Sequence, residues 1–479
     1  MRTIHRTLKN VSALLAGEIT GNALFFVLFI VLSHQFAPDI LGGYVTLTAI
    51  IYFASSLTDM GISQVLVREI AKNRSNASYL LAQGLAIVCG AVILVCSILV
   101  FLAKFGNYPD TLRPLIALTG LAVFGNCLMQ LGFSVFRGYE RMEIQALITS
   151  FLLLISATIG IGLALAKFGL VAQLINLVTW PMAGAAIALS VVHRKFVRLS
   201  LAISWQVCYR LFFNALPIGL LFWCVVFLQW FGLLVLGHFR TMSEVGIYGT
   251  ACKMFYAAIM LLGCGIAALI PVMSIYWAGS VDKAREFYKK TLRPFIAVGF
   301  GGTVGLLLLA DVLIPTIFGT AYRDAVAPLK VLAFSFALIA LCAPALVLLL
   351  SVDGLLKRYF PLLSVILVCN VLLNLTLVPR FCYMGSAVTF LFTVCIAFLV
   401  FMWIVKVCFG KVLFVWSAFA KPALACLVMA LVLWKLRAVT VLLSIPAGLT
   451  VFILVLCLLG ELRQEPYRSL WVSEKNAQN

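Results

Sequence analysis

Ionisable side chains inside long apolar segments are the residues of this sequence that bear on chemistry, because a charge within a membrane span is costly and by default functional. Glu18 falls in the segment 11–33, with Asn22 one turn further along the same face and Phe25, Phe26 and Phe29 continuing it. Lys253 lies inside the segment 245–274, on a stripe with Gly246, Gly249 and Tyr256. Small residues on that stripe would let a headgroup or a neighbouring helix approach closely. Asp59 stands near the end of the segment 43–63, and Arg68 follows just beyond it. Arg137 and Arg141 lie beside Glu140 and Glu143, between the segments 114–136 and 146–166. Cations of this kind can neutralise an anionic group, and interior carboxylates can carry a proton or hold a cation. Plainer roles stay open for each. Glu18 and Lys253 would neutralise each other across a bundle interface, Asp59 and Glu69 would pair with Arg68 at the inner membrane edge, and Arg137 and Arg141 would belong to a solvated loop. Asp311, before Pro315, reads as a capping or solvated group, and the matched His34 and His238 read as scaffold.

The segments that carry these groups dominate the composition. Of 479 residues 64% are apolar and 11% charged, with a mean hydropathy of +1.14; average soluble domains are ~25% charged. That excludes a soluble enzyme, a disordered chain and a secreted disulfide scaffold. The 35 Lys and Arg against 16 Asp and Glu give a net charge of +19. The basic residues come in small clusters between apolar stretches, the pattern of a polytopic membrane protein and not of a nucleic-acid binder. The 14 cysteines form no Cys-x-x-Cys pair and lie mostly in apolar runs, as small hydrophobes do, so no metal or other cofactor is expected.

A span needs about 20 apolar residues, and fourteen segments qualify: 11–33, 43–63, 79–103, 114–136, 146–166, 169–192, 211–237, 245–274, 294–318, 328–351, 359–379, 383–405, 413–434 and 438–460. The first is too long for a signal-peptide core and lacks a small-residue cleavage site, so it is expected to stay. With alternating spans and a cytoplasmic N-terminus, and with Lys421 placed at the cytoplasmic surface because Lys421-Pro422 interrupts the segment 413–434, 25 Lys and Arg fall on the cytoplasmic side and 8 on the other. By the positive-inside rule both termini are then cytoplasmic. No phosphate-cradling Gly-x-x-x-x-Gly-Lys-Ser/Thr loop is present, so energy would come from an ion gradient, the membrane potential or the substrate's own gradient.

The sequence also repeats itself. Aligned at an offset of 204 residues, 31–62 and 235–266 are identical at 11 of 32 positions: Val31/Val235, Leu32/Leu236, His34/His238, Gly42/Gly246, Tyr44/Tyr248, Thr46/Thr250, Tyr52/Tyr256, Ala54/Ala258, Leu57/Leu261, Gly61/Gly265 and Ile62/Ile266. Six spans separate the copies, so both run the same way. The expected fold is therefore an all-α polytopic membrane protein of two parallel six-helix repeats plus two C-terminal helices, an arrangement used by secondary transporters. The divisions are 1–193 for the first bundle, 194–210 for a cytoplasmic linker, 211–406 for the second bundle and 407–479 for the added helices and tail. The charges do not follow the repeat: Lys253 aligns with Ala49, Asp59 with Gly263, Arg68 with Val272 and Glu18 with Phe222. A repeated scaffold with unrepeated charges suits an asymmetric, polar, anionic substrate.

The runs FAPDILGGY from Phe36 to Tyr44, LTDMGI from Leu57 to Ile62, VREIA from Val67 to Ala71 and VGIYGTACK from Val245 to Lys253, with Pro271 beyond, carry a family resemblance. They resemble the O-antigen flippases, the polysaccharide transport branch of the multidrug/oligosaccharidyl-lipid/polysaccharide exporter superfamily. The resemblance implies two six-helix bundles about a V-shaped central cavity in a bacterial inner membrane. It also implies ion-coupled alternating access that carries an undecaprenyl-pyrophosphate-linked oligosaccharide from the inner to the outer leaflet. Lys253 and Arg68 are the cationic candidates it marks for substrate, with Asn22, Tyr256, Arg137 and Arg141 as further contacts; Glu18 and Asp59 are its candidates for coupling to H+ or Na+. Partners would be the lipid-linked oligosaccharide, membrane lipids and a polysaccharide polymerase, with no nucleic acid. A flippase makes and breaks no bond, so no catalytic residue is expected. The rival readings are a drug/cation antiporter of the same superfamily, a lipid II flippase, and a membrane-embedded polymerase, which would need a long catalytic loop.

Overall fold

The computed structural model describes residues 20–198, 202–352, 354–410, 417–435 and 441–459, and every regular element among them is helical. Helix α1 (Thr20–Gln35) leads into α2 (Pro38–Asp59). Pro38 opens α2, where its missing N–H costs nothing. The expected segment 43–63 does not run through. Met60 (φ 47°) and Gly61 (φ 79°) adopt left-handed backbone and end α2 at Asp59. A Cβ on Gly61 would lie 2.6 Å from the Gly219 nitrogen, so the turn needs a glycine for both shape and space. A separate helix follows, α3 (Ile62–Lys72), which buries Ile62, Val65, Leu66 and Ile70 and leaves Arg68 and Lys72 exposed.

After a 3-10 turn at Arg74–Asn76 come α4 (Ala77–Phe105), α5 (Arg113–Gly138), α6 (Met142–Leu165) and α7 (Leu170–Lys195). Helices α8 (Trp205–Val226) and α9 (Gly232–Phe239) are joined by a π-helical turn at Phe227–Phe231, and the stretches Trp205–Leu220 and Trp223–Phe239 are bent by 42° to each other. Then follow α10 (Met242–Gly279), α11 (Val281–Phe318), α12 (Val326–Ser351), α13 (Leu355–Phe409), α14 (Ser417–Lys435) and α15 (Val441–Leu458). The expected segments 359–379 and 383–405 both fall in α13, which breaks at Cys382 (φ 55°, ψ −142°). Among the described residues nine helices are long and apolar enough to cross a membrane, and the bent stretch Trp205–Phe239, taken as one span, brings the number to ten. Large apolar side chains such as Phe105, Leu147, Ile93 and Leu427 stand exposed, as the faces of helices solvated by lipid do.

The chain forms two compact units, Met1–Lys253 with Leu363–Thr389, and Met254–Leu362 with Phe390–Asn479. In the first, α5 packs against α2, α3, α4 and α7. Glycine lets it approach α7: a Cβ on Gly132 would sit 2.8 Å from that of Ala188. Helices α6 and α7 are tied by amides, Asn176 Nδ2 donating to the Ser156 carbonyl (2.9 Å) and Gln173 Nε2 to that of Gly160 (2.9 Å). In a membrane such buried amides are satisfied between helices because no water is present to do it. In the second unit Tyr288, Phe287, Leu348, Val405 and Phe409 form one core and Ala297, Met429, Leu433 and Phe452 another, so α14 and α15 are packed onto α11.

Candidate functional site

The repeated sequence meets itself in the first unit. A Cβ on Gly42 would overlap the carbonyl oxygen of Met242, and a Cβ on Gly246 would overlap that of Pro38. Pro38 and Met242 are themselves 204 residues apart, as are Gly42 and Gly246, so the contact is reciprocal. The next matched positions behave alike: Thr46 Oγ1 donates to the Gly42 carbonyl (2.9 Å) and Thr250 Oγ1 to that of Gly246 (2.8 Å), both threonines fully buried. One turn on, a Cβ on Gly249 would press 2.8 Å from the side chain of Val45, its counterpart in the other copy. The small residues of this stripe therefore admit a neighbouring helix.

Lys253 is the next residue of α10 on that stripe, one helical turn beyond Gly249. Its side chain is half-buried and its Nζ lies 5.7 Å from the centre of the Phe29 ring on α1. Among the described residues it takes part in no ion pair, so an aromatic face is what receives the ammonium there. A cation–π contact offsets only part of the cost of burying a charge, and an anion would be drawn to it.

The other candidates fall apart into separate places. Asp59, at the last turn of α2, accepts from the Ser63 hydroxyl and from its backbone N–H (3.4 Å), which caps the start of α3. It does not pair with Arg68. Arg137, from the last turn of α5, adds an attraction weaker than the Ser63 hydrogen bonds. Arg137 is half-buried and bracketed by amides, its Nε donating to Gln145 Oε1 (2.8 Å) and its Nη2 to Gln130 Oε1 (3.3 Å), so it is no solvated loop residue. Arg68 is 57% exposed and pairs with Glu69 (3.3 Å), which Lys72 also reaches (2.9 Å). The hydrogen bond from Lys72, more than any other cause, holds the Glu69 carboxyl below its ordinary pKa. Arg141 is exposed and pairs with Glu143 (3.4 Å). Asn22 lies on an exposed face of α1. Tyr256 belongs to the second unit, with its ring 5.6 Å from that of Phe255. Glu18 lies outside the described residues.

Two features of this unit escape a reading of the sequence. Tyr52, the counterpart of Tyr256, stacks on Trp230 of the π-turn (centroids 5.2 Å, 13° between planes), and Trp223 Nε1 donates to the Ser56 carbonyl (2.9 Å). Asn370 and Asn374 of α13 are both buried, with Asn374 Nδ2 donating to Asn370 Oδ1 (3.2 Å). Either could have been suspected only from polar or aromatic residues inside an apolar run, a weak signal. Among the described residues no group of His, Cys, Asp and Glu is arranged to hold a metal.

The chain is thus a many-span helical membrane protein with a half-buried lysine set against an aromatic ring. Its fold matches the lipid II flippase MurJ in an inward closed conformation (TM-score 0.77, 13% identity, 95% of this chain and 99% of that one). It also matches an inward-facing multidrug resistance MATE family transporter of the MOP superfamily (TM-score 0.62, 14% identity, 81% and 95%). A third match is a MOP superfamily transporter from Pyrococcus furiosus (TM-score 0.56, 14% identity, 84% and 96%). No curated protein sequence matches this chain. Residues 7–277 match the family described as polysaccharide biosynthesis protein, and the chain belongs to that family.

Proposed function

We propose that this protein is a flippase that moves an undecaprenyl-pyrophosphate-linked oligosaccharide, such as an O-antigen repeat unit, from the inner to the outer leaflet of a bacterial inner membrane. Transport proceeds by ion-coupled alternating access between two repeated bundles, with both termini cytoplasmic. The observation that carries this reading is Lys253: a half-buried, unmatched cation next to a tight helix crossing, in a chain of the polysaccharide biosynthesis family with a MOP-type fold. Unaided passage of a pyrophosphate through hydrocarbon would require desolvating at least two charges, a barrier of several to tens of kcal/mol. A protein lowers it by offering a polar path with a cation while the lipid tail stays in the bilayer. Asp59 and Glu18 are the carboxylates assigned to H+ or Na+ coupling.

The test is deletion of the gene followed by leaflet-specific labelling of the lipid-linked oligosaccharide. Accumulation on the cytoplasmic leaflet with loss of surface polymer is the expected result, and Lys253→Ala should reproduce it at normal protein level. Normal outer-leaflet delivery would instead turn attention to drug/cation exchange. Accumulation of lipid II in place of a polysaccharide precursor would assign the chain to peptidoglycan export.

A further inference from the structure

The start of α8 carries a stripe that the transport path above does not use. Trp205, Tyr209 and Phe213 recur at one helical turn and stand 82%, 60% and 51% exposed. Beside them runs a second exposed column, Gln206, Arg210 and Asn214, and the two columns line a hollow of about 470 Å³. The Tyr209 and Phe213 rings are 4.4 Å apart, so the aromatic side is continuous. Arg210 takes part in no ion pair among the described residues.

This face is fixed in orientation. On the opposite side of α8, Cys208, Leu211 and Ala215 are buried. Gln83 of α4, itself fully buried, clasps the helix start: its Nε2 donates to the Ala202 carbonyl (2.7 Å), and its Oε1 accepts from the Ser204 backbone N–H (2.9 Å) and the Cys208 thiol (3.2 Å). Turning α8 about its axis would strip all three bonds from a buried amide, which is costly without water.

An aromatic column by itself is what anchors a helix at a membrane surface. An unpaired guanidinium flanked one turn away on each side by a carboxamide, in the same hollow, is more than an anchor requires. The guanidinium fork matches two phosphoryl oxygens, the amides can both donate to and accept from hydroxyls, and the rings offer flat apolar surface to a sugar face or an isoprenoid chain. We infer that this hollow is an initial docking site for a polyprenyl-diphosphate-linked sugar, upstream of Lys253. The inference rests on the flippase reading and deepens it, since it separates capture of the substrate from its passage.

The test uses full-length protein in phosphatidylcholine nanodiscs, with Phe213 replaced by p-benzoyl-phenylalanine and radiolabelled farnesyl diphosphate as the probe. Illumination should cross-link the probe. Unlabelled farnesyl diphosphate should compete and phosphatidylglycerol should not. Arg210→Gln should lower labelling by roughly tenfold, as loss of a charge-assisted pair does, with Arg210→Lys in between. Gly90→Ala, whose Cβ meets nothing within 4 Å, is the control for fold and insertion. Equal competition by phosphatidylglycerol, or full labelling of Arg210→Gln, would reduce the stripe to a lipid-interface belt and overturn the inference. The two readings fail separately: normal leaflet delivery in the deletion strain removes the flippase, whereas absent or non-selective cross-linking removes the docking site alone.

Discussion

At the first turns of α2, Gly42 meets Met242 and Gly246 backbone to backbone, and the same contact is made in reverse by Gly246 on Pro38. At the last turn of α2, Asp59 accepts from Ser63 and feels a weak attraction from Arg137, which is itself held by Gln130 and Gln145. The first contact depends on the absence of side chains and is present in both copies of the repeat. The second depends on particular polar side chains and is present once, the counterpart of Asp59 being Gly263, whose surroundings are open. The difference teaches that duplication preserved what brings helices together and left the polar groups free to diverge. Lys253 sits where the two meet, one turn past the glycine contact and opposite in kind to its fully buried counterpart Ala49.

The strongest way to break this comparison is to fill the crossing. Gly42→Val and Gly246→Val each drive a side chain into a carbonyl that belongs to backbone, so each should cost about 3 kcal/mol or more. Thermal melting and the yield of monodisperse protein read this. Because the contact is reciprocal the two losses should be alike, and tolerance of one alone would refute the reciprocity. Ala49→Lys, which puts the unmatched charge into the matched site, should cost about 3 kcal/mol by the same melting assay, since that position has no room or partner for it. At the polar end, Arg137→Met strands Gln130 and Gln145 and should cost about 1–3 kcal/mol. A double-mutant cycle with Asp59→Asn should show coupling between the two sites, and strict additivity would mean that Arg137 acts only through the glutamines. The smallest effect belongs to Glu69→Gln. Glu69 titrates lower in the folded chain than unfolded, so its charge stabilises above the unfolded pKa and that contribution is lost as pH falls through the folded one. The wild type should therefore exceed the variant by less than about 0.5 kcal/mol at neutral pH, and by nothing in acid.

Hydropathy alone made most of the helices legible, because twenty apolar residues in a row have few alternatives. The stripe of Gly246, Gly249 and Lys253 marked a face that a headgroup or a neighbouring helix could approach closely, and in the structure the start of α2 lies there. Local backbone decided what was missed. The left-handed pair Met60–Gly61 turns the end of an expected span into a separate helix that carries Arg68 outward, and apolar counting is blind to such a turn. The amides around Arg137 come from positions seven residues before it and eight after it, across a helix break, so nothing in the linear pattern marks them as its partners. The stack of Tyr52 on Trp230 joins residues 178 positions apart and depends on a π-turn that leaves no trace in hydrophobic periodicity.

The reciprocity at Gly42 and Gly246 has the form of an isologous interface, the kind that two identical subunits make across a two-fold axis. In a symmetric dimer a single codon change strikes both sides of such an interface at once, so a lysine on one side would bring a second lysine opposite. Joined in one chain, the two sides mutate independently. The covalent link is what allows Lys253 to stand on one side of the axis while Ala49 keeps the other side closed.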